Sequence, residues 1–274
     1  MANKTLVKAG TSTKNYYRTM NSALKSLNGE YRMLHYPMFK NYDDDFIKAQ
    51  ENLTDYCISK LPDLKDKKVL EVGCGNGVQA LYIHTVFTPG KTIGIDLNSD
   101  NIEIANNLKS KLPTNNIEFL VDNAQSLANI ESNSVDCLVN IESAFHYPDK
   151  QEFLKQVQRV LKPGGHFVIA DILRKNSKTV ATKSWKNKMQ FHHWSKEEYD
   201  KAFSNVDLKL EEEDDITDSV IKGYKNVSSF WAGKEGLNFI SKSLLFVFFK
   251  INVIMNVRLL RKKRQYMVFS GTKS

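Results

Sequence analysis

The feature that most restricts this chain is the heptapeptide Glu71-Val-Gly73-Cys-Gly75-Asn-Gly77, placed at the end of the strand candidate Val69–Gly73. A strand ending in alternate glycines can turn tightly and lets a ligand approach its main chain. A helix opening there presents free N–H groups and the positive end of its dipole. A second strand candidate, Thr92–Asp96, ends on an acid within Ile93-Gly-Ile-Asp-Leu97. A carboxylate at that strand end suits the ribose hydroxyls of an adenosine cofactor. The glycine spacing is not the G-x-G-x-x-G of dinucleotide binders, and no Lys-Ser/Thr pair follows it, which argues against a P-loop nucleotide triphosphatase.

Further strands are expected at Ile117–Val121, Val135–Asn140 and His166–Leu173, with a sixth at Leu208–Glu212 and a last at Gln265–Gly271. Helices are expected at Gln79–Phe87, Ser99–Lys111, Lys150–Leu161 and Phe239–Leu260. This alternation predicts an α/β fold, a doubly wound parallel sheet covered on both faces. Residues 1–65 have a helical, aromatic-rich pattern and are expected to form a cap over the site. Pro62 to Lys68 reads as a linker, and the main domain runs over 66–274 with a lid-like insert at 175–203. Leu161-Lys-Pro-Gly-Gly165 is expected to reverse the chain.

The net charge of +8 is local. From Gly236 to the end there are eight Lys or Arg and no Asp or Glu, so the preceding residues hold 31 basic and 31 acidic side chains. A balanced body argues against nucleic acid as its partner. Cys57, Cys74 and Cys137 show neither disulfide nor metal-ligand spacing, and no metal is expected. Met1–Gly10 lacks the apolar core of a secretory leader, and no charge-free run reaches the ~18 residues of a membrane span. These features lead us to expect a cytoplasmic protein, with peripheral membrane contact open through 239–264, and a monomer or homodimer.

In order, E-x-G-x-G-x-G at 71–77, Asp96, Asp122-Asn123-Ala124, Glu142-Ser-Ala-Phe-His-Tyr-Pro148 and Leu161–Gly165 resemble the class I S-adenosylmethionine-dependent methyltransferases. The likeness is close over about residues 66–174. It implies a Rossmann-like sheet of seven strands, mostly parallel with the last antiparallel, with helices on both faces. S-adenosyl-L-methionine is the implied cofactor. Gly73, Gly75 and Gly77 would line its methionine and ribose part, Asp96 the ribose hydroxyls and Leu97 the adenine face. Asp122, Asn123 and Ala124 would meet the adenine edge, and Asn140 the methionine moiety. The branch resembled includes methyltransferases of glycolipid, sugar, quinone, sterol and other natural-product pathways. It implies a small or lipid-like, largely apolar acceptor, with oxygen preferred over carbon and nitrogen.

His146 follows the fourth strand, and two readings of it stand: a general base, or a histidine that shapes the pocket. His192 and His193 are rivals in the lid region. Tyr17 and Tyr36 are the preferred pocket residues among the N-terminal aromatics, which include Tyr31 and Tyr42; the alternative is packing on the domain. The helix at 239–260, followed by Arg261-Lys-Lys-Arg264, either covers the sheet or docks on anionic lipid. Two other functions compete: a SAM-fold binding protein without turnover, and an RNA methyltransferase using the basic tail.

Overall fold

A computed structural model describes residues 14–26, 29–41, 43–175, 191–224 and 239–274. Tyr42, Trp185 and most of the expected lid lie outside the described residues. The strands are β1 (Lys68–Val72), β2 (Lys91–Asp96), β3 (Ile117–Val121), β4 (Val135–Ile141), β5 (Leu161–Arg174), β6 (Leu208–Asp215) and β7 (Arg264–Lys273). They form one sheet in the order β3-β2-β1-β4-β5-β7-β6. The pairs from β3 through β5 are parallel, and β7 runs antiparallel to both β5 and β6. The strand order reverses between β1 and β4, which opens a crevice at their carboxyl ends.

The helices are α1 (residues 14–26), α2 (Phe46–Ile58), α3 (Val78–Phe87), α4 (Ser99–Lys109), α5 (Lys150–Val160), α6 (Lys196–Phe203), α7 (Thr217–Tyr224) and α8 (Phe239–Lys263). The central strands β1, β4 and β5 are buried on both sides, so successive residues feed opposite layers. Val69, Cys137, Val139, Val168 and Val268 pack with Leu53 and Cys57 of α2 and with Val253, Val257 and Leu260 of α8. Leu70, Leu138, Phe167, Ile169 and Met267 pack with Phe153, Leu154 and Val157 of α5 and with Tyr199 and Phe203 of α6.

Local signals explain the helix starts. Asp149 caps α5 by accepting from the Glu152 amide at 2.9 Å, and Asn98 caps α4 by accepting from the Asp100 amide at 3.0 Å. A capping box between Ser195 and Glu198 opens α6. That helix lies inside the expected lid, yet it buries Tyr199, Ala202 and Phe203 in the core. Helix α7 was not foreseen. The Pro-Gly-Gly segment also differs from expectation. Leu161 already pairs with Val135 and His166 with Cys137, so residues 162–165 loop out within β5 instead of reversing the chain before it.

Leu154 is fully buried in the layer under α5. Leu154→Ala should lower the unfolding free energy by about 2–5 kcal/mol, read from the shift in urea midpoint. A change under about 1 kcal/mol would contradict the close packing assigned to that layer.

Candidate active site

A cavity of about 510 Å³ opens at the carboxyl ends of β1, β2 and β4. Its floor is the turn after β1. Gly73 has φ +77°, and a Cβ there would fall 2.3 Å from Ser143 Oγ. Gly77 has φ +81° and would place a Cβ 2.5 Å from Ala105 Cβ. Side chains are thus excluded by both backbone and neighbours. Gly73 and Gly75 line the cavity; Gly77 does not, and serves the close packing of α3 on α4.

Asp96 fastens this turn to β2. Its carboxylate accepts from the Gly75 amide at 3.0 Å, the Asn98 amide at 2.7 Å and Asn101 Nδ2 at 3.3 Å. Burial raises its pKa and the two amide bonds oppose that rise. Asn101 accepts from Asn21 of α1 at 3.0 Å, and Asn21 accepts from Asn76 at 2.9 Å. Asn76 also donates to the Arg32 carbonyl at 2.8 Å. Gln50 of α2 donates to the Met33 and His35 carbonyls, each at 2.8 Å. These amides hold the segment around Met33–His35 over the glycine turn, where it walls the cavity.

Leu97, Asp122, Asn123 and Ala124 line the far end, as expected. Leu97 is 71% exposed. Asp122 spends its carboxylate on its own loop, accepting from the amides of Asn123, Ala128 and Asn129. Gln79 was not foreseen. It lines the cavity, is 6% exposed, and its Nε2 is buried without a hydrogen-bond partner among the described residues.

The opposite wall carries the titratable groups. Tyr17 Oη and His146 Nε2 are 2.7 Å apart, and both residues line the cavity. Burial raises the Tyr17 pKa well above its ordinary value, which keeps the phenol protonated. The His146 ring packs on Phe145 and Phe191 at centroid distances of 4.5 and 5.4 Å. Glu142 also lines the cavity and adopts φ +52°. Its Oε1 accepts from the Tyr36 amide at 2.6 Å and from Tyr266 Oη at 2.9 Å. Burial pushes its pKa up to about 8 against those bonds.

Besides Gly77, four expected residues stand outside the cavity. Asn140 is fully buried and donates to the Val72 carbonyl, Ser143 Oγ and Tyr147 Oη, tying β4 to β1. Tyr36 turns its hydroxyl to Asn256 of α8 at 3.0 Å. His192 joins the fold through its backbone, with its amide donating to the Phe145 carbonyl at 2.6 Å and its carbonyl accepting from Lys150 Nζ. His193 stacks on Phe145 and donates from Nδ1 to the Ile172 carbonyl. Burial pushes its pKa down to about 3, so it is a neutral packing residue at physiological pH.

Residues 63–221 match the family model described as "Methyltransferase domain". The fatty-acid O-methyltransferase of Mycolicibacterium smegmatis is 41% identical over 109 residues, which cover 40% of this chain and 38% of that protein. A phthiotriol/phenolphthiotriol dimycocerosates methyltransferase of Mycobacterium tuberculosis is 38% identical over 119 residues, covering 43% of this chain and 42% of that one. The matched stretch thus spans about two fifths of either relative. The fold is shared with the crystal structure of a putative sarcosine dimethylglycine methyltransferase from Galdieria sulphuraria, at a TM-score of 0.77 and 18% identity over 93% of this chain and 98% of that one.

Glu71 lies beneath the turn, 2% exposed, with no partner for Oε2 among the described residues. Burial and the nearby Asp96 charge push its pKa from 4.5 to about 8. The folded state therefore keeps a proton that the unfolded chain releases. Stability should fall as pH rises from about 4.5 to about 8. Glu71→Gln should flatten this slope in urea titrations at several pH values, and an identical slope would show that Glu71 is ionised in the fold.

Proposed function

The chain belongs to the methyltransferase-domain family, and from that premise we propose that it moves the methyl group of S-adenosyl-L-methionine to a hydroxyl oxygen of a lipid-like acceptor. The residues present suit that cofactor. The glycine turn puts bare main chain on the cavity floor at Gly73 and Gly75, where a cofactor can lie against it. Gln79 Nε2 is a buried donor in need of an acceptor, as a carboxylate would provide. Asp96 is a half-buried carboxylate suited to ribose hydroxyls, and Leu97 with Asp122, Asn123 and Ala124 supplies a mixed apolar and polar end for a purine. When bound, the cofactor supplies a methyl group on a cationic sulfur, activated for in-line attack.

The observation that carries the oxygen-acceptor reading is the Tyr17–His146 pair on the cavity wall, 2.7 Å apart. A hydroxyl becomes a good nucleophile when it loses its proton as the new bond forms. An acceptor hydroxyl donating to Tyr17 Oη lets the phenol pass its own proton to His146 Nε2. Tyr17 need not ionise free in solution for this. The aromatic neighbours of His146 hold the imidazole in place. Glu142 carries its proton over much of the neutral range. With Oε1 held by Tyr36 and Tyr266, it is placed to hydrogen-bond a second polar group of the acceptor.

Met33, Leu34, Ile141 and Pro148 give the same cavity apolar wall. This, with the fatty-acid and dimycocerosate names of the relatives, supports a lipid-like acceptor. Positioning supplies most of the acceleration expected, and proton removal about 100- to 10,000-fold more.

The test is methyl transfer to a panel of long-chain hydroxy lipids and fatty acids. His146→Ala and Tyr17→Phe should each lower kcat by about 100-fold or more with little change in cofactor affinity, and the wild-type rate should rise with pH through a pKa near neutrality. Full kcat in both variants across that range would remove the proton relay. It would favour an acceptor that is already anionic, such as a carboxylate.

A further inference from the structure

Helix α8 presents two unlike faces. Val253, Val257 and Leu260 are buried against the sheet. On the opposite side Val247, Ile251, Ile254, Met255 and Leu259 are between 41% and 61% exposed. At about 100° per residue these five fall within an arc of about 140°, a continuous stripe along the helix. Arg258 and Lys262 project within the same arc, and Arg261 and Lys263 flank its carboxyl end; all four are exposed.

We propose that this face docks on an anionic lipid bilayer. Charge selects that occupant. No Asp or Glu occurs from Gly236 to the end of the chain, so nothing acidic along this segment offsets the basic cluster. An apolar stripe ending in clustered Arg and Lys suits a surface with anionic headgroups above an acyl layer. The contact is interfacial, because no helix among the described residues is long and apolar enough to cross a membrane. The two sequence readings of this helix, sheet cover and lipid contact, thus hold on opposite faces.

The proposal extends the lipid-acceptor reading by naming where the acceptor is met. Asn256 of α8 accepts from Tyr36 Oη, and the Tyr36 amide donates to Glu142 on the cavity wall. The docking helix is therefore linked to the cavity wall through Tyr36.

The experiment is co-sedimentation of the full chain with phosphatidylcholine vesicles, with and without phosphatidylserine, at low and high salt. No methyl transfer is involved, so this proposal and the assigned activity fail independently. Wild type should bind the phosphatidylserine vesicles and lose binding at high salt. The variant Arg258→Ser/Arg261→Ser/Lys262→Ser/Lys263→Ser and the variant Ile254→Ser/Met255→Ser should each bind about tenfold more weakly or worse, with unchanged thermal midpoint because every changed side chain is exposed. Absence of binding at low salt, or equal binding by wild type and the charge variant, would overturn the proposal. So would a wild-type dimer that Ile254→Ser/Met255→Ser splits, since the stripe would then be covered by a second copy.

Discussion

The hydrogen bond from the Gly75 amide to the Asp96 carboxylate is the constraint on which the site depends. It joins the turn after β1 to the end of β2, beside the β1–β4 crevice where the strand order reverses. The turn takes its path only because the positions that enter the left-handed region are glycines with no room for a Cβ. The same carboxylate binds Asn98 and Asn101, and so reaches α1 and the N-terminal segment through Asn21 and Asn76. Floor and cover of the cavity are therefore one polar network. Burial makes such a network stiff when satisfied and costly when broken.

Against this network stands a small set of polar atoms that the fold leaves unmatched. Gln79 Nε2 and Asn98 Nδ2 belong to residues lining the cavity and are buried with no acceptor among the described residues. Natural folds pair almost all buried polar groups, so an exception lining a cavity points to a ligand as the missing partner. The Tyr17–His146 pair differs: each group already has the other, and its chemistry lies in sharing a proton.

The strands and the glycine turn were legible in the sequence because doubly buried parallel strands are short apolar runs, and because few turns demand glycine at alternate positions. Asp96 was legible because its strand end is fixed by the alternation of elements. The facing of later residues was not. His192 and His193 are adjacent, yet one is placed through its backbone bonds and the other by stacking on Phe145, a difference set by packing rather than spacing. Tyr36 was read as a pocket residue, but only its amide serves the site, because its hydroxyl is claimed by Asn256, 220 residues away. Glu142 depends on Tyr266, which a local reading of 142–148 does not reach. Gln79 and the start of α6 were not anticipated either: the facing of Gln79 depends on how α3 packs behind the glycine turn, and the Ser195–Glu198 capping box lies inside a segment read as a lid.

The central claim is that this turn and its network form a site for S-adenosylmethionine, and its most direct test is titration calorimetry with S-adenosylhomocysteine and, separately, NAD. The account predicts saturable binding of S-adenosylhomocysteine and none of NAD, with affinity falling about tenfold or more in Asp96→Ala and in Gln79→Leu, as expected when a charged or buried hydrogen bond worth about 1.5–3 kcal/mol is lost. Binding of NAD without S-adenosylhomocysteine, or affinity unchanged in both variants, would contradict it.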